Sequence, residues 1–286
     1  MPSHLVSRRV LRGAAALTLA LGTGLAVPVA LAGTAGATAQ PASAAVGDNG
    51  LRLFYTAAAG QTNKVTVTES FTSGYTDIVY VIDDVVPIQA GAGCGYPAST
   101  DHTRVSCKVA TLDSQDPYST MKMDLRDGDD TVAFRNNTGQ VYYFNLIYLG
   151  TGRDRLTDTG RVDGNNVWGQ AGNDTVTVGE ASMVFAGDGN DTVHAVGNYT
   201  RVEGGKGNDV IRGGAGGQVL YGTDGNDRIY GGKGNDLLYG GKGDDILYGN
   251  SGNDKLYGNS GVDRLYGGPG EDGLSGGPGP NVVRQN

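Results

Sequence analysis

Residues 204–284 read GGKGNDVIR, GGAGGQVLY, GTDGNDRIY, GGKGNDLLY, GGKGDDILY, GNSGNDKLY, GNSGVDRLY, GGPGEDGLS and GGPGPNVVR, nine-residue units in unbroken frame. They begin at 204, 213, 222, 231, 240, 249, 258, 267 and 276, on the pattern G-G-x-G-x-D-x-U-x, where U is a large aliphatic residue. A short fixed period is the mark of a solenoid. The first six residues suit a tight turn, because Gly takes positive φ without steric cost. The last three suit a short strand whose middle side chain points inward. Those inward positions are Ile211, Leu220, Ile229, Leu238, Leu247, Leu256, Leu265 and Leu274. They predict an aliphatic core between two parallel sheets. Two units make a coil of 18 residues, so successive turns fall on opposite edges.

Position six places Asp209, Asp227, Asp245 and Asp263 on one edge. Gln218, Asp236, Asp254 and Asp272 follow on the other. These residues could simply cap their turns as Asx-turns do. Yet carboxylates stacked ~4.8 Å apart repel one another without a counter-ion. The pattern resembles the RTX, or hemolysin-type, calcium-binding nonapeptide repeats, a motif associated with calcium in a parallel β-roll. The likeness is close over 83 residues, 204–286. It implies several Ca2+ ions between turns 18 residues apart, held by these Asp side chains and by turn carbonyls. The glycines it implicates are Gly205, Gly207, Gly225, Gly232, Gly234, Gly241, Gly243, Gly252, Gly261 and Gly270. Gln218 departs from the pattern, and its uncharged amide implies a weak or empty site.

Position nine is Tyr in six units: Tyr221, Tyr230, Tyr239, Tyr248, Tyr257 and Tyr266. In the family's geometry these face outward as two ladders, 221/239/257 and 230/248/266, one per sheet. Such ladders can stabilise parallel strands by stacking or present rings to a ligand.

Upstream, the turn signature persists while its period drifts. Asp130, Asp154, Asp174 and Asp191 are spaced 24, 20 and 17 residues apart, and Asp191 lies 18 before Asp209. This reads as one calcium-like turn per coil, so 125–203 is a degenerate β-helix leading into the regular 204–286 roll. Calcium is expected at Asp174 and Asp191, whereas Asp130 and Asp154 fit either calcium or a plain turn. Strands are expected at Val141–Tyr148, Val167–Trp168 and Met183–Phe185.

Residues 46–124 lack the motif, and Lys64–Thr68, Asp77–Ile82, Val85–Gln89 and Arg104–Val109 alternate or run apolar as strands do. The segment reads as the cap a solenoid needs at its first coil, or as a small separate β domain. Cys94 and Cys107 are close in sequence, and a disulfide there closes a small loop worth up to ~3 kcal/mol; a reactive thiol is the alternative. Before the fold, Arg8, Arg9 and Arg12 precede the apolar run Ala14–Ala32, and Ala37-Thr38-Ala39 and Ala42-Ser43-Ala44 offer small-x-small cleavage sites. Residues 1–45 therefore read as an export signal, by the general or the twin-arginine route. A secreted, extracellular location follows, where calcium is plentiful and disulfides persist.

The chain has 286 residues, and 50 are Gly, against roughly 7% in ordinary proteins. No Gly falls strictly every third residue, so collagen is excluded, and no apolar run after the first 40 residues is long enough to span a membrane. Twenty-two Lys and Arg face 30 Asp and Glu, a net charge of −8 that disfavours nucleic acid and favours cations. No H-E-x-x-H is present, which excludes that class of zinc protease. Gly273-Leu274-Ser275-Gly276-Gly277 matches G-x-S-x-G but lies inside the repeat register. The expected function is an all-β, exported calcium-binding β-roll, without catalysis, that folds on binding Ca2+. A calcium-dependent adhesion or matrix protein that holds a cell-surface glycan or protein is the alternative, and a β-helix polysaccharide lyase or epimerase a more distant one.

Overall fold

The computed structural model describes residues 40–47, 49–112, 116–160 and 164–285. The described part of the chain is strand and turn, without helix. From Tyr118 onward, successive strands alternate between a 12-stranded and a 13-stranded sheet. Each strand lies parallel to the one a coil earlier. The register is one coil per rung: Val202, Leu220, Leu238, Leu256 and Leu274 pair in series on one sheet. Val193, Ile211, Ile229, Leu247 and Leu265 do so on the other. Those from Ile211 to Leu265 are fully buried, while Leu274 in the last coil is only partly covered. The protein is thus a parallel β-solenoid, as the nine-residue period predicts.

The expected upstream strands appear as Tyr143–Thr151, Asn166–Ala171 and Met183–Asp188. Coil length drifts there because turns and loops change length, while the inward positions stay in line. Met123, Ile147, Val167 and Val184 pair in series on one sheet.

Strands of the N-terminal segment extend both sheets. Leu53–Thr56 lies parallel to Tyr118–Asp124, and Lys64–Phe71 parallel to Thr131–Asn136. Beyond them pairing turns antiparallel, through Ala42–Val46 on one sheet and Asp77–Asp83 and Arg104–Ala110 on the other. A single buried cluster runs from Ala42 to Leu265. Cys94 and Cys107 face each other on paired strands and are joined as a disulfide. Of the expected strand Val85–Gln89, only Ile88–Ala90 forms. Pro87 lacks the N–H a ladder needs, and Val85 is 60% exposed.

The boundary at residue 45 requires correction. Ala42–Val46 is a strand, held antiparallel to Leu53–Thr56 and parallel to Ile88–Ala90. Ala42, Ala44 and Val46 point into the core. Small side chains suit this place because the backbone of Gly91 and Gly93 packs directly on Ala45 and Val46. Residues that satisfy a cleavage motif are therefore core residues too. Residues 1–39 lie outside the described residues, so the rest of the export signal is a reading of sequence alone. A chain beginning at Gln40 should melt at least ~5 °C above one beginning at Val46, measured by calorimetry in calcium. Equal melting temperatures would show that this strand contributes nothing.

Candidate metal centre

Position six forms two continuous columns. In the first, each Asp Oδ1 accepts the backbone N–H of the Asp one coil earlier. The bonds run Asp191 to Asp209, Asp209 to Asp227 and Asp227 to Asp245 at 2.8 Å, and Asp245 to Asp263 at 3.0 Å. Asn63 N–H begins the column on Asp130, Asp154 and Asp174 continue it, and Asn281 Oδ1 ends it on Asp263. In the second column Gln218 N–H reaches Asp236, Asp236 reaches Asp254, and Asp254 reaches Asp272.

The other carboxylate oxygen decides the chemistry. Oδ2 of Asp130, Asp154, Asp174, Asp191, Asp209, Asp227, Asp236, Asp245, Asp254 and Asp263 is buried with no hydrogen-bond partner. An acceptor buried without a donor forfeits its hydration, and an ionised one forfeits more. Among the described residues no ion pair reaches a column Asp: the acids paired are Asp77, Asp188, Glu203 and Asp224. Without a cation, burial pushes these carboxyls up, and neighbouring carboxylates add to it. Asp174, Asp209, Asp227, Asp236 and Asp245 rise from 3.8 to about 7, and Asp191 to about 6. Asp254 and Asp263 shift the same way.

Glycine shapes the space beside these oxygens. A Cβ on position-one Gly204, Gly222, Gly240 or Gly258 would lie 2.1–2.3 Å from the Oδ2 of its own turn. Across Gly204, Gly222 and Gly240 the position-one carbonyl of the next coil stands 2.6–2.7 Å from the same point. The cradle is open because it has no side chain, and oxygen lines it. Hard oxygen donors of both kinds, with no nitrogen or sulfur, suit Ca2+. Among the described residues no three His, Cys, Asp or Glu converge as a metal cluster, so carbonyls must complete any shell.

The ten glycines singled out from the sequence all have positive φ, between 108° and 148°. At position four the reason is twofold, since the carbonyl of one turn points at the Cα of the next. A Cβ on Gly225 or Gly252 would lie 1.8 or 1.7 Å from that oxygen. Position one, which the motif reading passed over, is the residue that borders the orphan carboxylate. The signal was available: position one is Gly in all nine regular units, whereas position two is Gly, Thr or Asn.

Position five was also missed. Oδ1 of Asn190, Asn208 and Asn226 accepts the N–H of the residue 18 positions later at 2.7 Å. This ladder runs opposite to that of position six, so each turn is tied to both neighbours.

Several expected sites depart from the common geometry. Asp174 has Gly169 at position one, with the cradle open. Asp130, Asp154 and Asp191 have buried Leu125, Leu149 and Ala186 there, so a side chain stands where the regular turns have none. Asp272 Oδ2 accepts from Gln285 Nε2 at 2.9 Å. Gln218 spends its Nε2 on the Gly197 and Ala215 carbonyls, and its Oε1 is buried without a partner. The G-x-S-x-G match places Ser275 on a strand paired with Tyr257, with no strand-to-helix turn.

Gly240→Ala should lose a calcium ion in a stoichiometric titration, whereas Gly95→Ala, where a Cβ meets nothing within 4 Å, should lose none. Loss in neither would separate position one from the metal. A second expectation concerns pH. The folded form holds protons that the unfolded form, with carboxyls near 3.8, releases. The ion-free roll therefore loses stability as pH rises from about 4 to about 7. In chelator its β-sheet circular dichroism should be stronger near pH 5 than near pH 7.5, and calcium should close that gap. A chelated protein more stable at the higher pH would contradict the raised carboxyls.

The family model described as RTX calcium-binding nonapeptide repeat (4 copies) matches residues 159–182, 200–217, 213–247, 221–256 and 248–283. No curated protein matches the chain. The match falls on the open-cradle turns and stops short of Asp130 and Asp154, where leucine fills position one. Residues 159–283 of this chain carry RTX calcium-binding repeats within a β-solenoid.

Proposed function

We propose that this chain is an exported, non-catalytic module whose repeats fold on binding calcium. The observation that carries this reading is the column of buried, donorless carboxylate oxygens repeated once per coil. A roll so rich in Gly loses much backbone entropy on ordering, and its column acids oppose that ordering until they are neutralised. Ca2+ supplies a positive charge and takes up the oxygens left unbonded. Asp209, Asp227, Asp245 and Asp263 would hold it on one edge, Asp236 and Asp254 on the other, with position-one carbonyls beside them. Each Asp belongs to two adjacent gaps, so one bound ion orders the turn that receives the next, and binding should be cooperative.

Export is supported by the basic and apolar N-terminal segment, and proteins with RTX repeats are typically secreted. Extracellular calcium modules work near 10⁻⁴–10⁻³ M, a range in which the chain would stay unfolded in the cytosol and fold outside. This favours export of the unfolded chain. No helix among the described residues is long and apolar enough to cross a membrane.

Calcium titrated into the chelated chain beginning at Gln40 should give a cooperative rise in β-sheet circular dichroism without a change in molar mass by light scattering. Asp227→Asn should act with opposite signs. It keeps an Oδ1 acceptor for Asp209 N–H but removes charge, so it should raise the residual β-sheet signal in chelator and lower the melting temperature by a few degrees in calcium. A spectrum indifferent to chelation would defeat the proposal.

A further inference from the structure

The outer face of the 12-stranded sheet carries an aromatic ladder that ends abruptly beside a trough. Tyr221, Tyr239 and Tyr257 stack at 4.8 and 5.0 Å with nearly parallel rings. Stacking consumes most of the ring faces, and Arg201 lies 4.4 Å over the far face of Tyr221. The inner rings therefore serve mainly to bind coil to coil. Tyr257 differs, because the next residue in its row is Ser275 and no further ring covers it.

Alongside the ladder runs a trough whose lining includes Tyr221 and Tyr239. Two further rows complete it, Thr223, Gly241 and Asn259 in one and Asp224, Lys242 and Ser260 in the other. Asn259 lies two residues beyond Tyr257 on the same strand, so platform and trough are continuous. Asp224 and Lys242 neutralise each other at 3.0 Å. Asn259 and Ser260 are exposed and uncharged. The opposite sheet has the same ladder, 230/248/266.

We infer that this trough binds a neutral, extended polysaccharide running along the solenoid. A pyranose ring has apolar C–H faces and a rim of hydroxyls. The free face and edges of the tyrosines suit the first, and the amide, hydroxyl and paired charges suit the second. Gly241, between Thr223 and Asn259 in its row, leaves a gap without a side chain. The tyrosine row recurs once per coil along the solenoid axis, which suits an extended chain of rings better than a lone sugar. An acidic chain with an internally neutral trough disfavours polyuronates. The inference requires the calcium-loaded roll proposed above.

The test uses the calcium-loaded chain beginning at Gln40 and hexasaccharides of β-1,4-glucan, β-1,4-mannan and α-1,4-glucan, with an oligogalacturonate for comparison, in isothermal titration calorimetry. Saturable binding of at least one neutral hexasaccharide is expected. Tyr257→Ala, and Asn259→Gly at a position whose φ of 71° suits glycine, should each weaken it at least about tenfold. Tyr248→Ala, a rung of the other ladder, should leave it unchanged. Failure to bind any neutral sugar, preference for the uronate, or equal weakening by Tyr248→Ala overturns the inference. Circular dichroism of the same samples separates the two readings. A chain that folds with calcium yet ignores these sugars defeats only this inference. A chain folded without calcium defeats the calcium reading and leaves the sugar result to stand alone.

Discussion

The structure turns on one constraint: a carboxylate oxygen buried once per coil with nothing to donate to it. Oδ1 of each column Asp is consumed by the N–H of the coil before, which fixes the side chain and turns Oδ2 into the cradle. The backbone ladder that orders the turns is therefore also what orphans the second oxygen. A roll that stacked without ions would bury a column of like charges at the spacing of parallel strands, or would keep those groups protonated. In the function proposed above, calcium would resolve both costs, and glycine at position one would leave it room.

Two hydrogen-bond ladders and two aromatic ladders then hold successive coils in register. Position five ties each turn forward and position six ties it back. Outward tyrosines stack along both sheets, and farther upstream Tyr148, Trp168 and Phe185 continue the habit at 4.7 and 5.6 Å. The upstream coils keep the ladder, but Leu125, Leu149 and Ala186 fill position one in three of them, while Gly169 leaves it open beside Asp174. Their larger core residues, among them Met123, Phe134 and Ile147, offer hydrophobic burial where the regular coils have mostly a single aliphatic residue per strand.

Much of this was legible in the sequence. The period of nine set the coil, the strand register, the aliphatic stack and the tyrosine ladders, because each follows from counting. Other features were hidden because one residue type served two purposes. Ala42-Ser43-Ala44 satisfies a cleavage motif and also begins a strand, Ala42–Val46, whose Ala45 and Val46 meet Gly91 and Gly93. Glycines at positions one, two and four look alike in a motif, yet positions two and four take a positive φ while position one borders the metal cradle. The antiparallel strands between Lys64 and Ala110 rest on partners far apart in sequence, which no local period encodes.

Amide hydrogen exchange, followed by mass spectrometry with and without calcium, tests the central claim most directly. The account predicts that in chelator the amides of residues 204–285 exchange rapidly while those of 53–110 remain protected, and that calcium protects the column N–H groups of Asp209, Asp227 and Asp245. Equal protection of the repeats with and without calcium would contradict it.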